Sequence, residues 1–107
     1  MATYLIDQET MEQYVVTEPS CTIGSDSGNN IILNFEHVQP VHVNIDFKED
    51  AYYATLAPRA EKTRKFLFFF DIPTAKYNEI PLDGSPRKLS TGDRLLIGSR
   101  LLEFHLV

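Results

Sequence analysis

Any chemistry in this chain would have to come from a short set of side chains. Cys21 is the one thiol, and a pair with His37 or His42 would be the arrangement for a nucleophilic cysteine. That use needs an electropositive setting to make the thiolate. Cys21 instead lies in an alternating strand-like run with no nucleophile-elbow pattern around it, so it reads as a small buried hydrophobe. His37, His42 and Glu36 carry ligand atoms but match no tight metal-ligand spacing, and a single cysteine excludes a cysteine-only cage. No glycine-rich run leads into lysine and serine or threonine, so there is no P-loop. Ser85-Pro86-Arg87-Lys88 reads as an exposed turn. The sequence therefore points to no catalytic residue, no metal and no cofactor. One cluster could meet an anion: Arg59, Lys62, Arg64 and Lys65, a basic run whose plain reading is a solvated loop.

The elements around these residues are strands. Hydrophobic spacing has period two in most segments, and no stretch carries a helical stripe. Thr3–Ile6, Gln13–Thr17, Ser20–Gly24 and Asn30–Leu33 read as strands. In Val41–Phe47, Val41, Val43, Ile45 and Phe47 share one face, with His42, Asn44 and Asp46 on the other. Ala51–Leu56 follows the charged turn Lys48–Asp50, and Arg94–Ile97 with Leu101–Val107 forms a closing hairpin across Gly98–Arg100. Prolines 73, 81 and 86 make residues 72–90 mostly loop, with a short strand near Tyr77–Leu82. The expectation is one all-β domain over residues 1–107, a two-sheet β-sandwich of about 9–11 short strands. Leu5, Ile23, Ile32, Val43, Ile45, Leu95, Ile97 and Phe104 should fill its core.

With 107 residues, 43% hydrophobic and 23% charged, the chain can bury such a core without staples. Its net charge is −5, distributed as −8 over residues 1–50 and +3 over residues 51–107. An acidic total argues against a nucleic-acid partner, whose backbone needs a basic face. Residues 1–10 lack the basic start and apolar run of a signal peptide, and no segment has the length of a membrane span. The expected setting is the cytoplasm, without membrane insertion.

Order and spacing resemble the forkhead-associated (FHA) domain, a β-sandwich that usually binds phosphothreonine peptides. The likeness rests on Thr22-Ile23-Gly24-Ser25 followed by Asn30-Ile31-Ile32-Leu33, on Val38-Gln39-Pro40-Val41-His42-Val43-Asn44-Ile45, and on Leu89-Ser90-Thr91-Gly92-Asp93-Arg94-Leu95-Leu96-Ile97-Gly98 with the final strand. Gly24 and Gly98 stand where glycine would permit a sharp turn at positive φ. Gly92-Asp93 should make a turn closed by a side-chain hydrogen bond.

The resemblance also locates a site, and the sequence departs from it. The family's usual arginine after the first glycine is Ser25 here, and its usual serine is Gln39, followed by Pro40 rather than a basic residue. His42 matches a histidine that buttresses the loops, Asn29 lies in the first loop, and Asn78 is the candidate for an asparagine on a later loop. A phosphate dianion wants a bidentate guanidinium and hydroxyl or amide donors. Ser25 and Gln39 donate hydrogen bonds without charge, while Asp26 and Glu36 nearby repel phosphate. The sequence thus reads as a divergent FHA-type module that binds another protein, or itself, without the usual phosphothreonine recognition. The alternative is a phosphopeptide reader using relocated Arg59, Lys62, Arg64 and Lys65.

Phe66-Leu67-Phe68-Phe69-Phe70 is apolar throughout. In one strand, Lys65–Asp71, Phe66, Phe68 and Phe70 would enter the core and Leu67 and Phe69 would face outward as an interface. Alternatively, residues 72–82, with Ile72, Tyr77 and Ile80, would fold back over them.

Overall fold

Alternating apolar side chains leave each strand with one face that only a second sheet can cover. The computed structural model, which describes residues 2–107, meets that demand with thirteen short strands and no helix among the described residues. They are β1 (Thr3–Asp7), β2 (Gln13–Val15), β3 (Ser20–Gly24), β4 (Ile31–Ile32), β5 (Val43–Lys48), β6 (Ala51–Leu56), β7 (Thr63–Phe66), β8 (Phe70–Pro73), β9 (Ala75–Tyr77), β10 (Ile80–Pro81), β11 (Arg87–Lys88), β12 (Arg94–Ile97) and β13 (Arg100–Leu106). One sheet runs β10-β9-β12-β13-β1-β2, the other β11-β6-β5-β3-β4, and β7-β8 forms a separate ribbon. The expected two-sheet sandwich is thus what the chain forms.

Cross-strand register explains the core. On one sheet Leu5 faces Phe104 and Leu95 faces Leu102; on the other Cys21 faces Ile45 and Ile23 faces Val43. These residues are fully buried, Cys21 among them. Ile32 is the exception to the expected core. β4 pairs parallel to β3, with Ile23 opposite Ile31, and this phase turns Ile31 and Leu33 inward and leaves Ile32 47% exposed.

Other departures have local causes. The strand expected from Val41 begins at Val43, because Pro40 offers no N–H and the first ladder-like bond runs from His42 N–H to the Ile23 carbonyl. Val41 is consequently exposed and His42, expected on the outer face, is buried. Tyr77–Leu82 is not one strand but the hairpin β9–β10, turned by Asn78 and Glu79, both at positive φ. Arg87–Lys88 adds an unanticipated edge strand against β6. Gly24 does not have positive φ. A Cβ there would lie 2.2 Å from the Pro40 carbonyl oxygen, so glycine answers a close backbone approach. Gly98 does have positive φ, at 59°, and Gly92 at 97°.

The predicted strand Lys65–Asp71 is broken in its middle. Phe66 pairs with Phe70 across a loop in which Leu67 and Phe68 take φ of 53° and 65°. All five apolar residues are therefore exposed at a hairpin tip, and the segment 72–82 does not cover them.

One inward row of the larger sheet ends in charge. Asp7 and Arg100 continue the buried rows of β1 and β13, and the guanidinium donates two bonds to Asp7 Oδ2, at 2.7 and 2.9 Å. Asp7 Oδ1 accepts the N–H groups of Glu9 and Thr10, and Glu9 takes a further bond from Arg100. Phe35 stacks on the guanidinium at 4.1 Å. Burial pushes the Asp7 carboxyl up, but the bonds from Arg100, Thr10 and Glu9 outweigh it and hold the group below its ordinary value. Asp7→Ala, which strands a buried guanidinium, is expected to cost about 3 kcal/mol in urea unfolding at neutral pH. Because the folded value is depressed, the pair's contribution is present above the ordinary aspartate range and is lost as pH falls through the lower, folded value. The difference between parent and variant should therefore shrink only in strong acid.

Candidate functional site

The β3–β4 loop, the loop before β5 and the loop after β6 converge at one end of the sandwich. Pro40 is the meeting point of the first two: its carbonyl accepts Asn29 Nδ2 at 2.7 Å and Asp26 N–H at 3.2 Å. Ser25 N–H donates to the Gln39 carbonyl at 3.0 Å. Only a glycine at position 24 lets the chains approach this closely. Gly98 closes the same end from below, its Cα against the His37 backbone, where a Cβ would meet the carbonyl at 2.5 Å.

His42 ties these loops to the third. Its N–H and carbonyl bond Ile23 and Ala57, and its Nδ1 accepts the Gln39 N–H at 3.1 Å. That geometry requires a neutral ring with the proton on Nε2. Burial pushes the imidazole down from 6.5 to about 4, with the ring's hydrogen bond to the Thr74 backbone opposing. The Gln39 side chain then reaches across to the third loop. Nε2 donates to the Glu61 carbonyl at 2.9 Å and Oε1 accepts the Glu61 N–H at 2.8 Å. The amide mimics a strand neighbour, and both its functions are engaged.

The outcome is a groove of about 480 Å³ lined by Gln39, Pro40, Val41, Ala57, Pro58 and Arg59. Its walls are largely apolar, and Arg59 brings the one guanidinium in the lining. Ser25, Asn29, Gln39 and His42 are thus brought together, and Arg59 joins them. Asn78 is not at this end. It sits in the β9–β10 turn beside the start of β12, where its side chain accepts Arg94 N–H at 2.8 Å and donates to Asp93 at 3.0 Å, while Gly98 at that strand's far end marks the groove side. Asp93 also accepts the Ser90 N–H, the side-chain bond expected of the Gly92-Asp93 turn. Arg64 and Lys65 ride the β7–β8 ribbon away from the groove, and Lys65 pairs with Asp71 at 3.0 Å. Leu67 and Phe69 lie at that ribbon's exposed tip. Sequence reasoning missed Glu61, which acts through its backbone atoms and so leaves no side-chain signal, and Thr74, which acts through its backbone and its hydroxyl on a partner 13 residues away.

Solved structures share this arrangement of sheets over nearly the whole chain. An FHA domain studied for its phosphothreonine-dependent interactions matches all of this chain and 98% of its own, with a TM-score of 0.78 at 15% identity. The FHA domain of a Chlamydia trachomatis protein matches all of this chain and 99% of its own, at 0.75 and 12%. The chain has the FHA-domain fold. Mycobacterium tuberculosis EmbR, in complex with a low-affinity phosphopeptide, matches 97% of this chain at 0.79 and 19%, over 24% of its own length. At such identities the likeness lies in the fold. No protein-family model and no curated protein matches the sequence. Within the FHA fold, the groove here is built from backbone joints and a buried imidazole, with one cation at its edge.

The buried ring makes the loop end acid-labile. An unfolded histidine titrates near 6.5 and His42 near 4, so between these values the unfolded chain binds more protons. Stability should be full above about pH 6.5 and should fall by roughly 3 kcal/mol as pH drops to 4, levelling below it. Urea unfolding across this range checks it. His42→Gln, which keeps an acceptor for Gln39 N–H, should flatten the slope.

Proposed function

We propose that this domain is a cytoplasmic protein-interaction module, not an enzyme, whose groove takes a segment of a partner protein without the usual phosphothreonine recognition. The observation that carries this reading is the state of Gln39. The amide at the position expected to meet phosphate is bonded at both ends to Glu61. Ser25 N–H is likewise engaged with Gln39, and Asn29 Nδ2 with Asp26 and Pro40. A phosphate would have to break these joints to obtain the amide donors, leaving it the neutral Ser25 hydroxyl, and each charge-assisted bond it fails to form forfeits about 1.5–3 kcal/mol. Pro40, Val41, Ala57 and Pro58 instead suit an apolar side chain, oriented by the Arg59 cation. A lone buried thiol, Cys21, fits a reducing compartment.

A second reading has its own support. The Gln39–Glu61 joint holds the 57–61 loop against the groove, with Arg59 in its lining and Lys62 next in sequence to Glu61, so these two are the candidates for relocated phosphate contacts. Titrating paired phosphorylated and unphosphorylated peptide libraries by fluorescence polarisation separates the two. The first reading expects affinities within about threefold of each other, and a loss of at least tenfold on Val41→Asp. Binding that needs the phosphate and vanishes in Arg59→Ala with Lys62→Ala would replace it with the second.

A further inference from the structure

The β7–β8 ribbon is the part of the molecule least explained by the sandwich. It pairs with no other strand, and its tip carries Phe66, Leu67, Phe68, Phe69 and Phe70, all exposed, with Phe68 at 91% and Phe69 at 84%. Leu67 and Phe68 occupy positive-φ positions that ordinarily fall to glycine or asparagine, so the tip is costly in backbone conformation as well as in hydration. Its side chains point to both faces of a two-stranded ribbon. A flat protein surface would cover one face and leave the other in water. A medium that surrounds the tip covers both.

We propose that this hairpin docks the domain on an anionic lipid surface, the aromatic tip entering the interface and the basic stem meeting the headgroups. From the Lys65–Asp71 rung to the tip is two to three residues, or about 7–10 Å at strand rise. That matches the roughly 5–10 Å by which apolar faces enter the headgroup boundary. Lys65 neutralises Asp71 at 3.0 Å, so the stem's acidic side chain does not oppose the approach. Arg64, Lys62 and Arg59 stand behind it. The chain as a whole is acidic, so the attraction is local: residues 59–71 carry Arg59, Lys62, Arg64 and Lys65 against Glu61 and Asp71, and it is the hairpin and its stem that an anionic surface would draw in. This is peripheral docking by a loop, distinct from a span; no helix is long and apolar enough to cross a membrane among the described residues.

The chain contains no tryptophan, so Phe69→Trp installs a single reporter at the tip. Phosphatidylcholine vesicles with and without phosphatidylserine are the probes. Expected are a blue shift and quenching by bromine-labelled lipid acyl chains, stronger with phosphatidylserine and weakened by salt. In vesicle co-sedimentation, Phe68→Ser with Phe69→Ser should lower partitioning at least about tenfold while thermal unfolding stays unchanged, since both side chains are exposed. Lys62→Glu with Lys65→Glu should abolish the preference for phosphatidylserine. An unshifted reporter with both vesicles would overturn the proposal. So would sedimentation equal in parent and serine variant, or a solution dimer that the serine changes dissolve with no vesicle binding by the parent.

Discussion

A buried, neutral imidazole holds the loop end of this sandwich in one arrangement. His42 is bonded through its backbone to Ile23 and Ala57 and through its ring to Gln39 and Thr74, so one residue touches both sheets' connections. A protonated ring could not accept the Gln39 N–H and would be a desolvated charge. The groove therefore depends on the ring staying uncharged. Burial supplies that condition, because desolvation disfavours the charged form more strongly than the Thr74 contact favours it. The Asp7–Arg100 pair closes the core by the opposite strategy: there both partners are charged, and hydrogen bonds rather than neutrality make burial tolerable.

These two anchors explain why the groove's polar groups are structural. A loop that runs over a surface must satisfy its backbone somewhere. Here Pro40 gives its carbonyl to Asn29 and Asp26, Ser25 gives its N–H to Gln39, and Gln39 gives its amide to Glu61. Of the side chains that the sequence offers as phosphate donors, the Gln39 and Asn29 amides are consumed by the loops, while Ser25 commits only its backbone N–H. What remains facing solvent is apolar surface and Arg59.

Much of the sandwich was legible because period two is a strong signal wherever one face is buried. Leu5, Ile23, Val43, Ile45, Leu95, Ile97 and Phe104 obey it. Ile32 does not, since phase on β4 is set by parallel pairing to β3, which no local pattern encodes. The Phe66–Phe70 run defeated the same rule differently. An unbroken apolar stretch resembles a buried strand, and nothing in Leu67-Phe68 announces a positive-φ turn that asparagine or glycine would have announced. Of the site, Ser25, Asn29, Gln39 and His42 were pointed to by the resemblance to the FHA domain, and not by composition or periodicity. Asn78 was misplaced because residues 72–82 hide a hairpin, whose turn puts it beside the start of β12. Glu61 and the Arg100 partnership were invisible, the first because it acts through its backbone and the second because its partners stand 93 and 91 residues away.

The groove and the aromatic ribbon are mechanically one unit, although they face different surroundings. The ribbon's base is fixed by Thr74, whose N–H donates to the Lys62 carbonyl at 2.9 Å and whose hydroxyl donates to the Glu61 carbonyl at 2.6 Å. The same Glu61 carbonyl accepts Gln39 Nε2, and the Thr74 carbonyl accepts Gly98 N–H at 2.9 Å. Swinging the ribbon would draw Glu61 away from Gln39 and expose the amide that the groove keeps occupied. Each such bond is worth only about 1 kcal/mol net, but the Gln39 and Thr74 bonds meet at one carbonyl, so a displacement of Glu61 strains both. Whatever holds the ribbon therefore also fixes the width of the groove at Gln39 and Arg59.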